Sequence, residues 1–226
     1  ELLQKGIKKE INAEFYCAVT RSPSVYRGNP FQVEAAIAYG GELPGDKPVK
    51  LMRFANRVPL LYQQSACAIT ESVISTLWRG YGLSQSQGAL PVGPAVIVVH
   101  VSSVWAPFTS EAKEAIAHYP EIIKEVKLAL QECGRKLAKY TKKKKRYSDE
   151  LKKRGYIEKY MPYLGGALKD ILGLKKSDEE MIEKKLKEIL EHNRGKLKKV
   201  EMENPEYDEE FAKIGSEDHE EGNENE

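Results

Sequence analysis

The run AVIVVHV at residues 95–101 constrains the fold of this chain more than any other segment. It is too short to cross a membrane, because a helical span needs about 20 apolar residues. The run alternates little and follows a loop rich in Gly and Pro, so it predicts a strand that is covered on both faces. His100, near its end, is expected to be a hydrogen-bonded strand histidine, because no Ser or Asp arrangement beside it supports catalysis.

Other segments before this run have the patterns of strands and a helix. In residues 31–39 the larger apolar side chains fall on alternate positions, the period of a half-buried strand, and Glu14–Thr20 precedes them as another predicted strand. Residues 49–61 alternate again and predict one extended segment that Pro59 closes. Between Ser65 and Tyr81 apolar residues recur every four positions, which indicates a helix on a core. The predicted order is therefore three strands, a helix, and the buried strand.

A long helix is predicted after the buried strand. Apolar residues from Ile123 to Tyr140 are three and four positions apart, the spacing of a helix with a narrow apolar seam. Extended from Lys113 to Tyr147, this helix would measure on the order of 50 Å. The apolar pattern resumes at 156–172, and a capping-box sequence begins at Ser177. The sequence predicts a main domain at 1–147, a helical extension at 148–200 and an acidic, disordered tail at 201–226.

Charge is distributed unevenly along the chain, although its net value is only +2. Residues 201–226 contain twelve acidic residues and one lysine, whereas the first 200 residues carry 35 basic and 22 acidic side chains. A basic body of this kind is expected to work near a polyanion. The cations that are candidates for contacting DNA phosphates are Lys142, Lys143, Lys144, Lys145 and Arg146. A charge run exposed to solvent on a helix is the other interpretation of these five residues.

The sequence has none of the common catalytic motifs. It contains no G-x-x-x-x-G-K-S/T phosphate loop, no H-E-x-x-H and no G-x-S-x-G. Its four histidines are scattered, and no carboxylates cluster with them at metal-ligand spacing. Cys17, Cys67 and Cys133 are far apart in sequence, so we expect buried free thiols instead of a disulfide framework or a zinc site. No complete active site is predicted.

Four segments resemble, in the same order, the transducer domain of archaeal DNA topoisomerase VI B subunits. They are TRSPSVYRGNPFQVEAAIAYGG (20–41), LMRFANRVPLLYQQSACAIT (51–70), ALPVGPAVIVVHVSSVWAPFTSEAKEAIA (89–117) and LALQECGRKLAKY (128–140). The resemblance covers about residues 14–147, and RFANRVPLLY and PFTSEAKEAIA are its most specific phrases. Residues 158–173, EKYMPYLGGALKDILG, are more loosely similar to a C-terminal extension that some archaeal members carry.

This resemblance implies an α+β fold, the left-handed β-α-β two-layer sandwich of the second domain of GHKL ATPases and of related ribosomal proteins. A long C-terminal helix and a small helical appendage would follow it. In the family, a lysine on the loop before the long helix reaches the γ-phosphate of ATP in a neighbouring domain. The matching residue is Lys113, and Thr109, Ser110 and Glu111 form the supporting loop.

The resemblance also implies a function and partners. The chain would relay ATP binding and hydrolysis to the DNA-cleaving A subunit during double-strand passage, in an A2B2 heterotetramer that contains a second B subunit and acts on double-stranded DNA. ATP and Mg would be bound mainly by a nucleotide-binding domain that is not found in this sequence, so the chain alone is expected to be inactive. No membrane partner is expected, and the predicted location is cytoplasmic.

Several residues depart from the family pattern or lack an assigned role. Where several relatives have a lysine, this chain has Trp105, which we expect to pack at the strand end and leave phosphate sensing to Lys113. Asn56 and Arg57 are expected to have structural roles at the end of a strand.

Two functions of other classes compete with the relay. The first is a free-standing nucleic-acid-binding module of the same fold, which would use the cations at 142–146 and bind tightly and salt-sensitively on its own. The second is a small-molecule kinase or acyl-transfer enzyme, which the missing phosphate loop and nucleophile–base pair disfavour.

Overall fold

A six-stranded mixed sheet organises the first part of the chain in the computed structural model, which describes residues 2–173 and 175–194. The strands are β1 (Phe15–Thr20), β2 (Ser24–Tyr26), β3 (Asn29–Tyr39), β4 (Lys50–Ala55), β5 (Val58–Pro59) and β6 (Ala95–Ser103). The helices are α1 (Leu2–Glu10), α2 (Ala68–Ile74), α3 (Pro120–Leu172) and α4 (Lys176–Arg194), with 3₁₀ turns at Gln64–Ala66 and Trp78–Tyr81. The chain divides into two compact units, of which the first ends at Lys145 and the second begins at Arg146.

The strand order is β1-β3-β6-β4-β5, and β2 pairs with the first residues of β3. β6 is antiparallel to β3 along its whole length and parallel to β4, where Lys50 lies opposite Val96 and Ala55 opposite Val101. Parallel neighbours need a crossover connection, which α2 provides. The β4-α2-β6 segment is therefore a β-α-β unit, and the predicted α+β class is confirmed.

Both faces of β6 are buried, as the apolar run at 95–101 predicts. Ile97, Val99 and Val101 belong to the larger core, which also contains buried residues of α2 and of the first half of α3. Val96 and Val98 point to the opposite face, where Ile7 of α1 packs with them. Alternating side chains of one strand thus enter two separate cores.

The first half of α3 lies close to the segment that follows α2. Gly134 is buried, and a Cβ atom built on it would lie 2.5 Å from Cε2 and 2.8 Å from Cγ of Tyr81. Seven residues further along, Thr141 is next to Gly82, whose Cβ would lie 3.1 Å from its Oγ1. Tyr81 in turn packs edge-on against Trp78, with 6.0 Å between the ring centroids. A residue without a side chain at 134 lets the helix approach this closely.

The predicted single extended segment at 49–61 is wrong, because the chain turns back in its middle. Asn56 and Arg57 have φ angles of 46° and 68°, which reverse the chain between β4 and β5. The residues that follow are held by Arg53, which is buried at 4% exposure. Its Nη2 donates hydrogen bonds to the carbonyls of Leu60 at 2.8 Å and Tyr62 at 2.9 Å. The alternation predicted extended structure but carried no sign of the turn.

The predicted helix at 65–81 is also shorter than expected. Ile69 and Val73 are buried as predicted, but Leu77 is 83% exposed because α2 ends before it. Two hydroxyl groups satisfy carbonyls of its last turn: Ser75 Oγ donates to Glu71 O at 2.6 Å and Thr76 Oγ1 donates to Ser72 O at 2.8 Å. Such side-chain bonds favour leaving the helix.

The long helix begins later and ends later than the predicted span of 113–147. α3 starts at Pro120, a residue type that suits the first turn of a helix because it lacks an N–H group. It continues past Tyr147 to Leu172, through a stretch with four Lys and four Leu, which are good helix formers, although Pro162 and three Gly also lie there. The predicted tail at 201–226 lies outside the described residues. None of the helices in the described ranges combines the length and apolarity that crossing a bilayer requires.

Candidate functional site

The loop that connects β6 to α3 is a closed structure that carries Lys113 at its tip. Phe108 and Ile116 form an antiparallel bridge, and the amide of Thr109 donates to the carbonyl of Ala115 at 2.9 Å. The amide of Lys113 then donates to the carbonyl of Ser110 at 3.1 Å, which makes a tight turn inside the loop. The backbone of residues 108–116 is therefore held by hydrogen bonds among its own members.

Lys113 itself has a strained backbone and an exposed side chain. Its φ angle is 54°, a left-handed conformation that costs a non-glycine residue roughly 1–2 kcal/mol. Thr109, Ser110 and Glu111, the other predicted loop residues, are exposed beside it. Within the ranges that the structure describes, Lys113 forms no ion pair. A loop of fixed shape thus presents an ammonium group to solvent.

The base of this loop is tied to α2. Ala115 and Ile116 are fully buried, and the amide of Ala68 donates to the carbonyl of Ile116 at 2.9 Å. His118 adds two contacts: its Nδ1 lies 2.8 Å from Oε2 of Glu71 and its Nε2 lies 3.1 Å from the carbonyl of Ala66. Because the chain passes from here directly into α3, a displacement of the loop would act on both helices.

Tyrosine contacts hold the other side of the loop. The hydroxyl of Tyr26 donates to the carbonyl of Trp105, and its ring lies 5.1 Å from that of Tyr119. The guanidinium of Arg27 lies 4.9 Å from the centre of the Tyr119 ring. The Trp105 side chain, however, is 73% exposed, so the expectation that it packs at the strand end is wrong. Only its backbone takes part in this contact.

The polar residues at the ends of β4 and β6 have structural roles, as the sequence predicts. His100 accepts a hydrogen bond on Nε2 from the amide of Arg57 at 3.2 Å, which leaves the proton on Nδ1 to face Glu34 Oε2 at 2.9 Å. The side-chain amide of Asn56 donates to the carbonyl of Ser103 and accepts from its amide, both at 2.9 Å. These bonds join the β4–β5 turn to the end of β6.

The five cations of the basic run have different surroundings. Lys142, Lys143, Lys145 and Arg146 are exposed, as a contact with phosphate would require. Lys144 instead forms a salt bridge with Glu14, the residue that precedes β1. Lys144 is thus already engaged within the domain, whereas its neighbours face solvent.

Two features of the sequence remain without chemistry in the structure. The three cysteines are free and buried, as predicted, and the neighbouring thiol of Cys17, together with burial, raises the pKa of Cys133 well above its ordinary value. Across residues 2–173 and 175–194, no group of His, Cys, Asp or Glu side chains is arranged to hold a metal ion.

The sequence did not indicate the roles of Glu14 and His118. Glu14 is 130 positions from Lys144, and His118 is 47 positions from Glu71, so each pair depends on tertiary structure. A lone carboxylate before a strand and a lone histidine before a helix are common features, and neither has a local pattern that indicates its partner.

A mixed α+β domain with a β-α-β crossover and a lysine-bearing loop before a long helix is the class that these observations define. The family model described as topoisomerase VI B subunit, transducer, matches residues 1–153. The chain therefore belongs to the transducer family of the topoisomerase VI B subunit.

Comparison with curated proteins agrees with this assignment. The chain is 50% identical over 172 residues to the B subunit of type 2 DNA topoisomerase 6 from Methanococcoides burtonii, a match that covers 76% of this chain and 28% of the relative. The corresponding protein of Natronomonas pharaonis is 45% identical over 181 residues, with 80% of this chain and 23% of the relative covered. That of Halobacterium salinarum is 56% identical over 128 residues, with 56% and 16% covered. The chain thus spans about a quarter of the length of the first two relatives.

Solved structures with a more distant similarity are gyrase B proteins. The B subunit of the DNA gyrase from Myxococcus xanthus has 19% sequence identity and a TM-score of 0.39, over 60% of this chain and 38% of that one. The ATPase domain of Thermus thermophilus gyrase B has 12% identity and the same TM-score, over 64% and 38%.

Proposed function

We propose that this chain is the part of an ATP-hydrolysing type II DNA topoisomerase that relays nucleotide state to DNA cleavage. In this proposal it belongs to the B subunit of topoisomerase VI and transmits ATP binding and hydrolysis to the A subunit during relaxation and decatenation. The family match supports the assignment to the subunit. The observation that carries the relay is the position of Lys113, exposed at the tip of a hydrogen-bonded loop that leads directly into α3.

The physical basis of the relay is a single charge on a rigid support. An ammonium group that contacts the terminal phosphate distinguishes ATP from ADP, because only ATP places negative charge at that position. Lys113 would make this contact with ATP held by a nucleotide-binding domain. Since the loop is bonded to itself and to α2, its movement would displace the start of α3 as well. Nucleotide state would then become a change in the direction of a long helix.

The proposal assigns ATP and Mg mainly to that nucleotide-binding domain and none to this chain alone. Thr109, Ser110 and Glu111 would support the loop. The expected partners are the A subunit, a second B subunit in an A2B2 assembly, and double-stranded DNA in the cytoplasm. These assignments are supported by the family to which the chain belongs, and the charge of the first 200 residues fits work near DNA.

The purified chain is therefore expected to show no ATP turnover. The complete B subunit that contains it, mixed with the A subunit, is expected to relax supercoiled DNA only when ATP is present. Colorimetric phosphate release and plasmid relaxation on agarose gels measure the two activities. Hydrolysis by the isolated chain would contradict the proposal and would favour a free-standing enzyme, whereas ATP-independent relaxation by the complex would contradict the relay.

We also propose that the basic run contacts DNA, since four of its five cations are exposed. If Lys142 and Lys143 neutralise phosphates, replacing both with glutamine should lower the slope of log affinity against log salt by about 2, at roughly 0.9 per contact. The matched control is Lys8→Gln with Lys9→Gln, which removes the same charge from exposed positions of α1.

Fluorescence anisotropy of a short labelled duplex, titrated with the complete complex at several salt concentrations, measures this slope. Equal slopes for the Lys142/Lys143 and Lys8/Lys9 variants would show that net charge, and not the basic run, determines binding. Tight and steeply salt-dependent binding by the 226-residue chain alone would favour the alternative function, a free-standing nucleic-acid-binding module.

A further inference from the structure

Residues 11–13, which lead into β1, are held by contacts with the sheet on two sides. The amide of Ala13 donates to the hydroxyl of Tyr16, which donates to the carbonyl of Ile11, both at 2.6 Å. Opposite it, the turn at Gly40 and Gly41 has positive φ angles of 80° and 67°. A Cβ atom on Gly41 would lie 2.9 Å from the Cα of Ala13, so only glycine permits this approach.

The next residue, Glu14, joins this segment to α3. Its Oε2 accepts a hydrogen bond from the hydroxyl of Tyr140 at 3.0 Å and another from the ammonium of Lys144. Tyr140 and Lys144 are four residues apart, so they lie on one face of the helix. The Tyr140 ring is also held, since it stacks on Phe15 with 4.8 Å between the centroids. We call Glu14, Tyr140 and Lys144 the exit clamp.

The surroundings of the clamp favour the carboxylate form of Glu14 and the protonated hydroxyl of Tyr140. The hydrogen bond from Lys144 lowers the pKa of Glu14, and the bonds from Tyr140 and the Gly41 backbone act in the same direction against burial. The carboxylate is therefore charged at neutral pH. Burial and the bond to Glu14 raise the pKa of Tyr140, so its hydroxyl keeps the proton that it donates.

The clamp contacts α3 near the end of the first compact unit. The first compact unit ends at Lys145, so Tyr140 and Lys144 lie in the last turns of α3 that belong to it. Nearer the start of the helix, Gly134 packs under Tyr81, and Leu137 is fully buried. The exit clamp thus holds α3 further along the first unit than these two contacts do.

We propose that Glu14 is a positioning residue that holds this part of α3 and couples its position to the segment entering β1. Two contacts would then shift α3: one at its start, from the Lys113 loop, and one at Tyr140 and Lys144, from the polypeptide that precedes the sheet. This inference rests on the relay proposed above, and it adds a second route by which a neighbouring part of the B subunit acts on α3.

The test is the number of strand passages per ATP hydrolysed by the complete B subunit with the A subunit. Glu14→Gln, Lys144→Met and their combination are each expected to lower this ratio by about two- to fivefold, because the pair is partly exposed and its energy is modest. The double variant should be no worse than either single one, since both remove the same contact. The exchanged pair Glu14→Lys with Lys144→Glu should restore part of the ratio.

The matched control is Lys139→Met, which removes an exposed cation from the same helix, five residues before Lys144, and should leave the ratio unchanged. A variant that is only less stable would lose ATP hydrolysis and strand passage together and keep their ratio. An unchanged ratio in Glu14→Gln, or additive losses in the double variant, would overturn the inference. If Lys113→Ala lowers the ratio while Glu14→Gln does not, the exit clamp fails and the relay stands.

Discussion

Replacing Lys113 with alanine is expected to reduce ATP-dependent strand passage by at least about tenfold, since removing one positioned donor to developing or terminal charge commonly costs a factor of about 10²–10³. The loop would keep its shape, because the bonds that close it come from the backbone of residues 107–117. The lost group is the ammonium alone. Relaxation and decatenation of circular DNA by the complete complex at saturating ATP measure the effect, and nucleotide binding is measured separately.

Two variants separate the charge of Lys113 from its backbone conformation. Lys113→Gly removes the ammonium and also relieves the left-handed φ of 54°, whereas Lys113→Ala keeps the strain. Both should lose strand passage if the charge matters. Lys124→Ala is the control, because Lys124 is an exposed lysine on the second turn of α3. Full activity in Lys113→Ala, or an equal loss in Lys124→Ala, would contradict the assignment.

Gly134→Ala is expected to destabilise the first compact unit by about 1–3 kcal/mol. The added methyl group would overlap the ring of Tyr81, which cannot move freely because it packs against Trp78. Alanine is a better helix former than glycine by roughly 1 kcal/mol, so a loss of stability shows that the overlap outweighs this gain. Urea unfolding followed by Trp78 fluorescence in a Trp105→Phe background measures the change in this unit.

The control for this substitution lies on the same helix. A Cβ atom on Gly155 would meet nothing within 4 Å, so Gly155→Ala gains the helix propensity without the overlap. Its Trp78 unfolding midpoint should equal or exceed that of the unmodified chain. A Gly134→Ala variant as stable as Gly155→Ala would contradict the close packing of Gly134 against the Tyr81 ring.

The elements that could be predicted from the sequence are those whose own residues determine them. The strand at 95–101 is apolar except for His100, and residues 31–35 alternate between apolar and polar, so each pattern predicts a strand. The prediction of one extended segment at 49–61 fails because the alternation is the same on both sides of the turn. Asn56-Arg57 is also not a common turn sequence. The far end of α3 was predicted too early, because the lysine-rich sequence before Tyr147 is compatible with both an exposed helix and a charged linker.

The candidate site also contains some residues that the sequence indicates and others that it does not. Lys113 was predicted from sequence because a specific phrase, PFTSEAKEAIA, resembles one family; the structure places it on a closed loop, and its role stays a prediction. The partner of Lys144 was not predictable, because Glu14 reaches it only after the sheet places β1 beside α3. Trp105 was expected to pack at the strand end, but its side chain is 73% exposed, so the residue type alone did not decide its burial.

The most direct test of the relay is amide hydrogen exchange in the complete B subunit, with ADP and with a non-hydrolysable ATP analogue. We predict slower exchange in residues 109–116 and in the first turns of α3 with the ATP analogue than with ADP, and no such difference in Lys113→Ala. These segments would respond together because the loop is bonded to itself and continues into the helix. Equal exchange with the two nucleotides, or a difference that persists in Lys113→Ala, would contradict the account.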